Sequence, residues 1–231
     1  DIYRPFKPKR KTRASVAKEK GLEPLALTIF AQEDAKTLPI EMAKAYVDSE
    51  KGVETEQDAL HGALDIIAEM ISDNADIRKR VRNIVFRNGN LVSKAVDPEK
   101  DSVYTLYYDF KEPVEKIASH RVLAVNRGED EEVLKVSIEI EPSKCLNIMK
   151  MLLVKGNTPC GNAVITAAED AYDRLIFPSI EREIRTALTD DADEKAIKLF
   201  SLNLHQLLMQ PPVKNKVAIG LDPGYRTGCK L

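Results

Sequence analysis

The chain has 231 residues, 43% of them apolar, 31% charged and only 6% aromatic, with no Trp. The apolar share is enough for a real core and excludes global disorder, and abundant charge with few aromatics predicts a mainly α protein rather than a strand-rich sandwich. A formal charge of 35 − 37 = −2 excludes a polycation, so any affinity for nucleic acid must come from how the charge is distributed.

That distribution is uneven. Residues 1–20 hold Arg4, Lys7, Lys9, Arg10, Lys11, Arg13, Lys18 and Lys20 against Asp1 and Glu19, a local balance of 8 − 2 = +6 that leaves −8 for the remainder. Pro5 and Pro8 remove backbone donors and fix φ, so the opening is read as an extended basic arm. A short helix over Ser15–Lys20 follows, with Gly21 as its stop, and Pro24 starts a second running through Phe30. Pro39 starts a third through Val47. Thr55 and Asp58 have the spacing of a capping box, ahead of a helix whose apolar face is Leu60, Ala63, Leu64, Ile67, Met70 and Ile71. Asn74 caps the next helix, with Ile77, Val81, Ile84 and Val85 inward, up to Asn88-Gly89.

From Asn90 to Phe110 the residue types change to Val, Tyr and Leu around an Asp97-Pro98 turn, so Leu91–Val96 and Val103–Tyr107 read as short strands or irregular extension. Glu112-Pro113 is expected to begin a helix, and Ser119 another that ends near Gly128. Leu134–Ile140 alternates as a strand that Pro142 closes. Helical periodicity returns beyond Gly161 in Val164, Ala167, Ala168, Ala171, Tyr172 and Leu175, with Pro178 at a kink or restart. An acidic break at Asp190–Glu194 precedes Ile197, Phe200, Leu204, Leu207 and Leu208, and Pro211-Pro212 ends the run.

Several chemistries lack their residues. Cys145, Cys160 and Cys229 form no CxxC pair, and His61, His120 and His205 are isolated, so neither a disulfide framework nor a zinc site is expected. No GxSxG, HExxH or GxxxxGK[ST] string occurs, and no cofactor is expected. The unpaired cysteines fit a reducing cytoplasm, and no apolar run approaches the ~18–20 residues that span a bilayer, so no membrane segment is expected. A start at Asp1 rather than Met and a stop after a strand-like segment suggest excised boundaries.

Three segments could carry function. Lys7, Lys9, Arg10, Lys11 and Arg13, interleaved with Tyr3 and Phe6, have the cations and rings for single-strand binding; the alternative is a solvated connector. Arg78, Lys79, Arg80, Arg82 and Arg87 raise a helix-turn-helix reading, against the wet side of an amphipathic helix. Val217–Leu221 reads as a buried strand that ends at Asp222, and Gly224 permits close backbone approach. A carboxylate so placed can help hold a divalent metal for phosphodiester chemistry, or Asp222-Pro223 is only a turn.

The string DPGYRTGCKL, residues 222–231, closely resembles the start of the RNase H-like, Holliday-resolvase-like domain of the Tex family of bacterial transcription accessory proteins. The opening from Tyr3 to Ala14, the step from Lys20 to Leu25, the segment from Pro113 to Arg121 and Arg127-Gly128 resemble the same family in the right order. This implies a bacterial cytoplasmic protein that contacts nucleic acid, RNA or DNA, and the transcription machinery, and that is related to a eukaryotic elongation factor. Helix-hairpin-helix elements and an OB-fold domain are expected elsewhere in family members. Asp222 and Gly224 are carried over as motif positions, not as a catalytic site.

The expected fold is therefore a mainly α multi-helix scaffold with a few short strands, ending in the first strand of an RNase H-like domain. Its expected parts are a basic arm with a first helix (1–20), a helical region with a candidate helix-turn-helix-like part and short strands (21–111), a helical region with one strand (112–212) and the start of the RNase H-like domain (213–231). The expected function is non-catalytic nucleic-acid binding and scaffolding. The alternative is a metal-dependent nuclease or resolvase-like enzyme with Asp222 as one metal-binding carboxylate.

Overall fold

The computed structural model describes residues 11–34, 36–211 and 214–230. Helix α1, Arg13–Glu19, starts at a reciprocal cap: the Ser15 amide donates to Thr12 Oγ1 at 3.0 Å and the Thr12 amide to Ser15 Oγ at 2.8 Å. Gly21, at φ 82°, supplies the left-handed residue that turns the chain into α2, Glu23–Ala31. Helix α3, Pro39–Ala43, passes into a 3-10 turn, Lys44–Tyr46.

The expected capping box opens α4, Glu56–Asp73: the Asp58 amide donates to Thr55 Oγ1 at 3.1 Å and the Thr55 amide to Asp58 Oδ2 at 3.0 Å. Two such bonds satisfy donors that a helix start otherwise leaves unpaired. Helix α4 is the hub of the first unit, packing against α1, α2 and α3. Ile66, Ile67 and Ile71 are fully buried there, and full burial of such a side chain stabilises by about 1.5–3 kcal/mol. Gly62 allows the closest approach, since a Cβ there would lie 2.4 Å from Leu22 Cδ1.

Asn74 alone separates α4 from α5, Ala75–Asn88, and its Oδ1 accepts from the Asp76 and Ile77 amides at 3.0 and 3.1 Å. A three-stranded antiparallel sheet follows, in the order β2-β1-β3, from β1 (Asn90–Ala95), β2 (Asp109–Pro113) and β3 (Leu134–Glu139). Asn90 faces Pro113 on one side and Glu139 on the other. Leu134, Val136 and Ile138 point inward, as the alternation predicted.

The free edge of β3 is covered by side chains. Ile138 donates its amide to Glu181 Oε1 at 2.7 Å, Val136 donates to Glu129 Oε1 at 3.3 Å, and Arg185 Nη1 donates back to the Val136 carbonyl at 3.3 Å. Arg185 also pairs with Glu129. An edge so covered offers no ladder to another chain.

Helix α6, Ser119–Asp130, lies between β2 and β3, and α7 is Pro142–Leu153. Helix α8, Pro159–Asp170, also packs on α4 and passes through a π-helical stretch, Ala171–Ile176, into α9, Phe177–Leu208. Pro178 has no N–H for the carbonyl four residues back, and the Phe177 amide reaches Tyr172, five residues back. The chain thus bulges by one residue and restarts as an α-helix at Phe177, where a kink or restart was expected.

The structure differs from the expected elements at several points. Of the two readings of Val103–Tyr107 the strand does not form: the segment leads into a 3-10 turn, Thr105–Tyr107, and Val103 is exposed. Glu112-Pro113 starts no helix; it ends edge strand β2, where a missing N–H is tolerated. Pro142 does more than close a strand, because it is the first residue of α7. The Asp190–Glu194 stretch does not interrupt α9. Lys198 reaches Glu194 at 2.6 Å one turn on, the orientation that supports an exposed helix.

The chain forms two compact units, up to Asp193 and from Glu194 on. In the second, Ile197, Phe200, Leu204, Leu207 and Leu208 are exposed. The strand expected over Val217–Leu221 does not form: Val217, Ile219 and Leu221 are exposed, and the ladder lies further on, between β4 (Asp222–Pro223) and β5 (Cys229–Lys230). An apolar strand needs neighbours for its amides, and this segment pairs with none among the described residues.

Candidate nucleic-acid interface

Of the basic arm, Lys7, Lys9 and Arg10 lie outside the described residues, as does most of the opening stretch. Lys11 and Arg13 show where the arm enters the body. Lys11 Nζ lies 3.3 Å from the Glu19 carboxylate, an exposed pair of the kind that contributes little and yields to salt. Thr12, while capping α1, also donates from Oγ1 to Glu69 at 3.1 Å, which ties the root of the arm to α4.

Arg13 lines an open cleft of about 510 Å³ between α1 and α4, with Lys20, Asp58, His61 and Asp65 also on its walls. Asp65 is held by Arg174, which also binds Asp170. Burial pushes the Asp65 carboxyl up, against the pull of Arg174 and Arg13. The cleft is mixed in charge, and its carboxylates leave the arm as the more basic element.

A second basic surface is the solvent face of α5. Lys79, Arg82, Asn83, Phe86 and Arg87 are all exposed and recur at three- and four-residue steps. Arg80 is bound to Asp76 at 2.8 Å, whereas Lys79, Arg82 and Arg87 have no carboxylate partner among the described residues. Arg82 also lines an open groove between α5 and the first part of α9, facing Ser179, Arg182, Glu183 and Asp190.

Arg78 departs from the basic face read in the sequence. Its side chain is 3% exposed, and Nη2 donates to Glu183 at 2.8 Å and to Ser179 at 2.9 Å. Nε and Nη1 are buried and have no hydrogen-bond partner among the described residues. With one residue between α4 and α5 instead of a three- or four-residue turn, and one of the five cations buried, the helix-turn-helix reading does not fit. Phe86 and Arg182 also lie beside these cations and are not among the five visible as a basic run in the sequence. Phe86 sits one turn beyond Arg82, a spacing visible once Arg82 is known to face outward; Arg182 is a neighbour only through tertiary packing.

At the other end, Asp222 pairs with Lys230 across the β4-β5 ladder, and the Gly224 amide donates to the Gly228 carbonyl at 2.8 Å. A Cβ on Gly224 would lie 2.8 Å from the Thr227 carbonyl oxygen, so the turn needs glycine at that position. Among the described residues no group of three or more His, Cys, Asp or Glu side chains is placed to hold a metal ion.

These features define a mainly α protein with a basic opening sequence, a basic face on α5, and no helix long and apolar enough to cross a membrane among the described residues. The chain belongs to the Tex family: the model described as Tex central region-like matches residues 34–200. Along its whole length it is 46% identical to YdcI of Bacillus subtilis and 36% identical to Protein tex of Bordetella pertussis, covering 32% and 31% of those proteins. It is also 30% identical over its whole length to 24% of human S1 RNA-binding domain-containing protein 1. The chain spans about a third of the length of the bacterial relatives.

Proposed function

We propose that this chain is a non-catalytic nucleic-acid-binding and scaffolding part of a cytoplasmic transcription accessory protein. The observation that carries the reading is the concentration of cations in residues 1–20, +6 in a chain of net −2, within a family whose relatives include a transcriptional accessory protein and an S1 RNA-binding domain protein. Lys7, Lys9, Arg10, Lys11 and Arg13 neutralise phosphates, and each contact releases counterions. The exposed apolar residues of the second unit support the scaffold half, since such surfaces serve protein contacts. Transcription machinery is the partner this reading names.

The test is binding of residues 1–231 to a fluorescent 20-nucleotide RNA and its DNA equivalent. Replacing Lys9, Arg10 and Lys11 with Gln should weaken binding at least tenfold, and unchanged binding would remove the arm from the interface. The enzyme alternative is tested on the full-length protein with magnesium: cleavage that is lost in Asp222→Asn supports a nuclease, whereas no cleavage by either protein supports the scaffold.

A further inference from the structure

Within the first unit Phe86 is the one exposed aromatic side chain among the described residues, at 40%. Two-fifths of this residue's surface faces water, enough to leave part of the ring open to a ligand. Its neighbours on the same face are cations and an amide: Arg82 and Asn83 one turn before, Lys79 two turns before, and Arg87 beside it. None of those three cations is neutralised by a carboxylate among the described residues.

The groove beside Arg82 extends this face. Arg182 on α9 supplies a second guanidinium, and the carboxylate between them, Glu183, is already bound by the buried Arg78. Arg78 thus serves the surface indirectly: it cancels the negative charge that would otherwise oppose an anion. Only Asp190 remains as a carboxylate on the groove wall.

We infer that the exposed face of α5, from Lys79 to Arg87 with Arg182 across the groove, binds single-stranded nucleic acid, with Phe86 stacked on a base and the cations on flanking phosphates. A ring among unpaired cations is the arrangement of a sequence-tolerant single-strand platform. A duplex hides the faces of its bases, and the geometry of α4 and α5 is not that of a groove-reading helix pair. The inference rests on the nucleic-acid reading above but assigns a separate surface, distant in sequence from the arm.

The experiment compares binding of 12-nucleotide oligouridylate, oligodeoxythymidylate and a 12-base-pair duplex by residues 1–231 and four variants. Phe86→Ala should weaken single-strand binding by about 5- to 150-fold, the range for loss of one stacked base, and leave duplex binding unchanged. Phe86→Leu keeps an apolar side chain for the folded contacts but removes the ring, and should show the same loss. Replacing Lys79, Arg82 and Arg87 together with Gln should reduce the slope of log affinity against log salt by about 2. The fourth variant carries the Gln replacements of Lys9, Arg10 and Lys11. If only this arm variant loses affinity, the α5 surface is overturned and the arm stands; if the parent chain binds no oligonucleotide, both fall.

Discussion

Glu183→Ala is expected to destabilise the protein by about 3–5 kcal/mol, while Arg78→Met costs under about 1.5 kcal/mol or nothing. The asymmetry follows from exposure. The Arg78 side chain is 3% exposed and that of Glu183 is 40% exposed. Without Glu183 a buried guanidinium, whose Nε and Nη1 have no partner among the described residues, retains only the Ser179 hydroxyl among them. Without Arg78 the carboxylate turns to water, and Met fills the apolar space. Arg78→Met combined with Glu183→Ala should be about as stable as Arg78→Met alone, because the penalty exists only while the buried charge does. Urea unfolding of the three variants checks this, and equal costs for the two single changes would contradict it.

The second large effect is at Gln32, which is 7% exposed and ends α2 at φ 54°. Its Nε2 donates to the Leu153 carbonyl at 2.8 Å and its Oε1 accepts from the Lys155 amide at 3.0 Å, so one side chain closes the ends of both α2 and α7. Gln32→Ala leaves the buried Leu153 carbonyl without this donor, at roughly 1–3 kcal/mol, whereas the Lys155 amide, on an exposed residue, can turn to water. Gln32→Glu should be worse at neutral pH, since a carboxylate faces the Leu153 carbonyl, and should recover part of the loss when acid protonates it and restores a donor. The midpoint of urea unfolding at pH 7 and pH 5 reads both effects; a Glu variant that loses relative stability as pH falls would contradict the account.

Neither residue announced its role in the sequence. Arg78 belongs to a run of cations on an amphipathic helix, and only Glu183, 105 positions away, makes burial tolerable. Gln32 follows a helix with no glycine to mark the left-handed turn. The local signals, by contrast, were legible: Thr55 and Asp58 cap α4, Asn74 caps α5, and the alternation from Leu134 gives β3. Proline carried too little information by itself. Pro113 ends a strand and Pro142 begins a helix, and which of these a proline does depends on whether its missing N–H faces an edge or a helix start. The candidate interface was legible in part for the same reason. A basic arm is visible as composition, whereas an exposed ring among unpaired cations requires knowing which side of α5 faces the core.

The central claim is that residues 1–231 bind nucleic acid through clustered cations. Its most direct test is the affinity of this chain for a single-stranded oligonucleotide as salt is varied. With five to eight phosphates neutralised, log affinity should fall against log salt with a slope between about −3.5 and −5.6, since each single-strand phosphate contributes about 0.7. A slope near zero, or no binding at 50 mM salt, would contradict it.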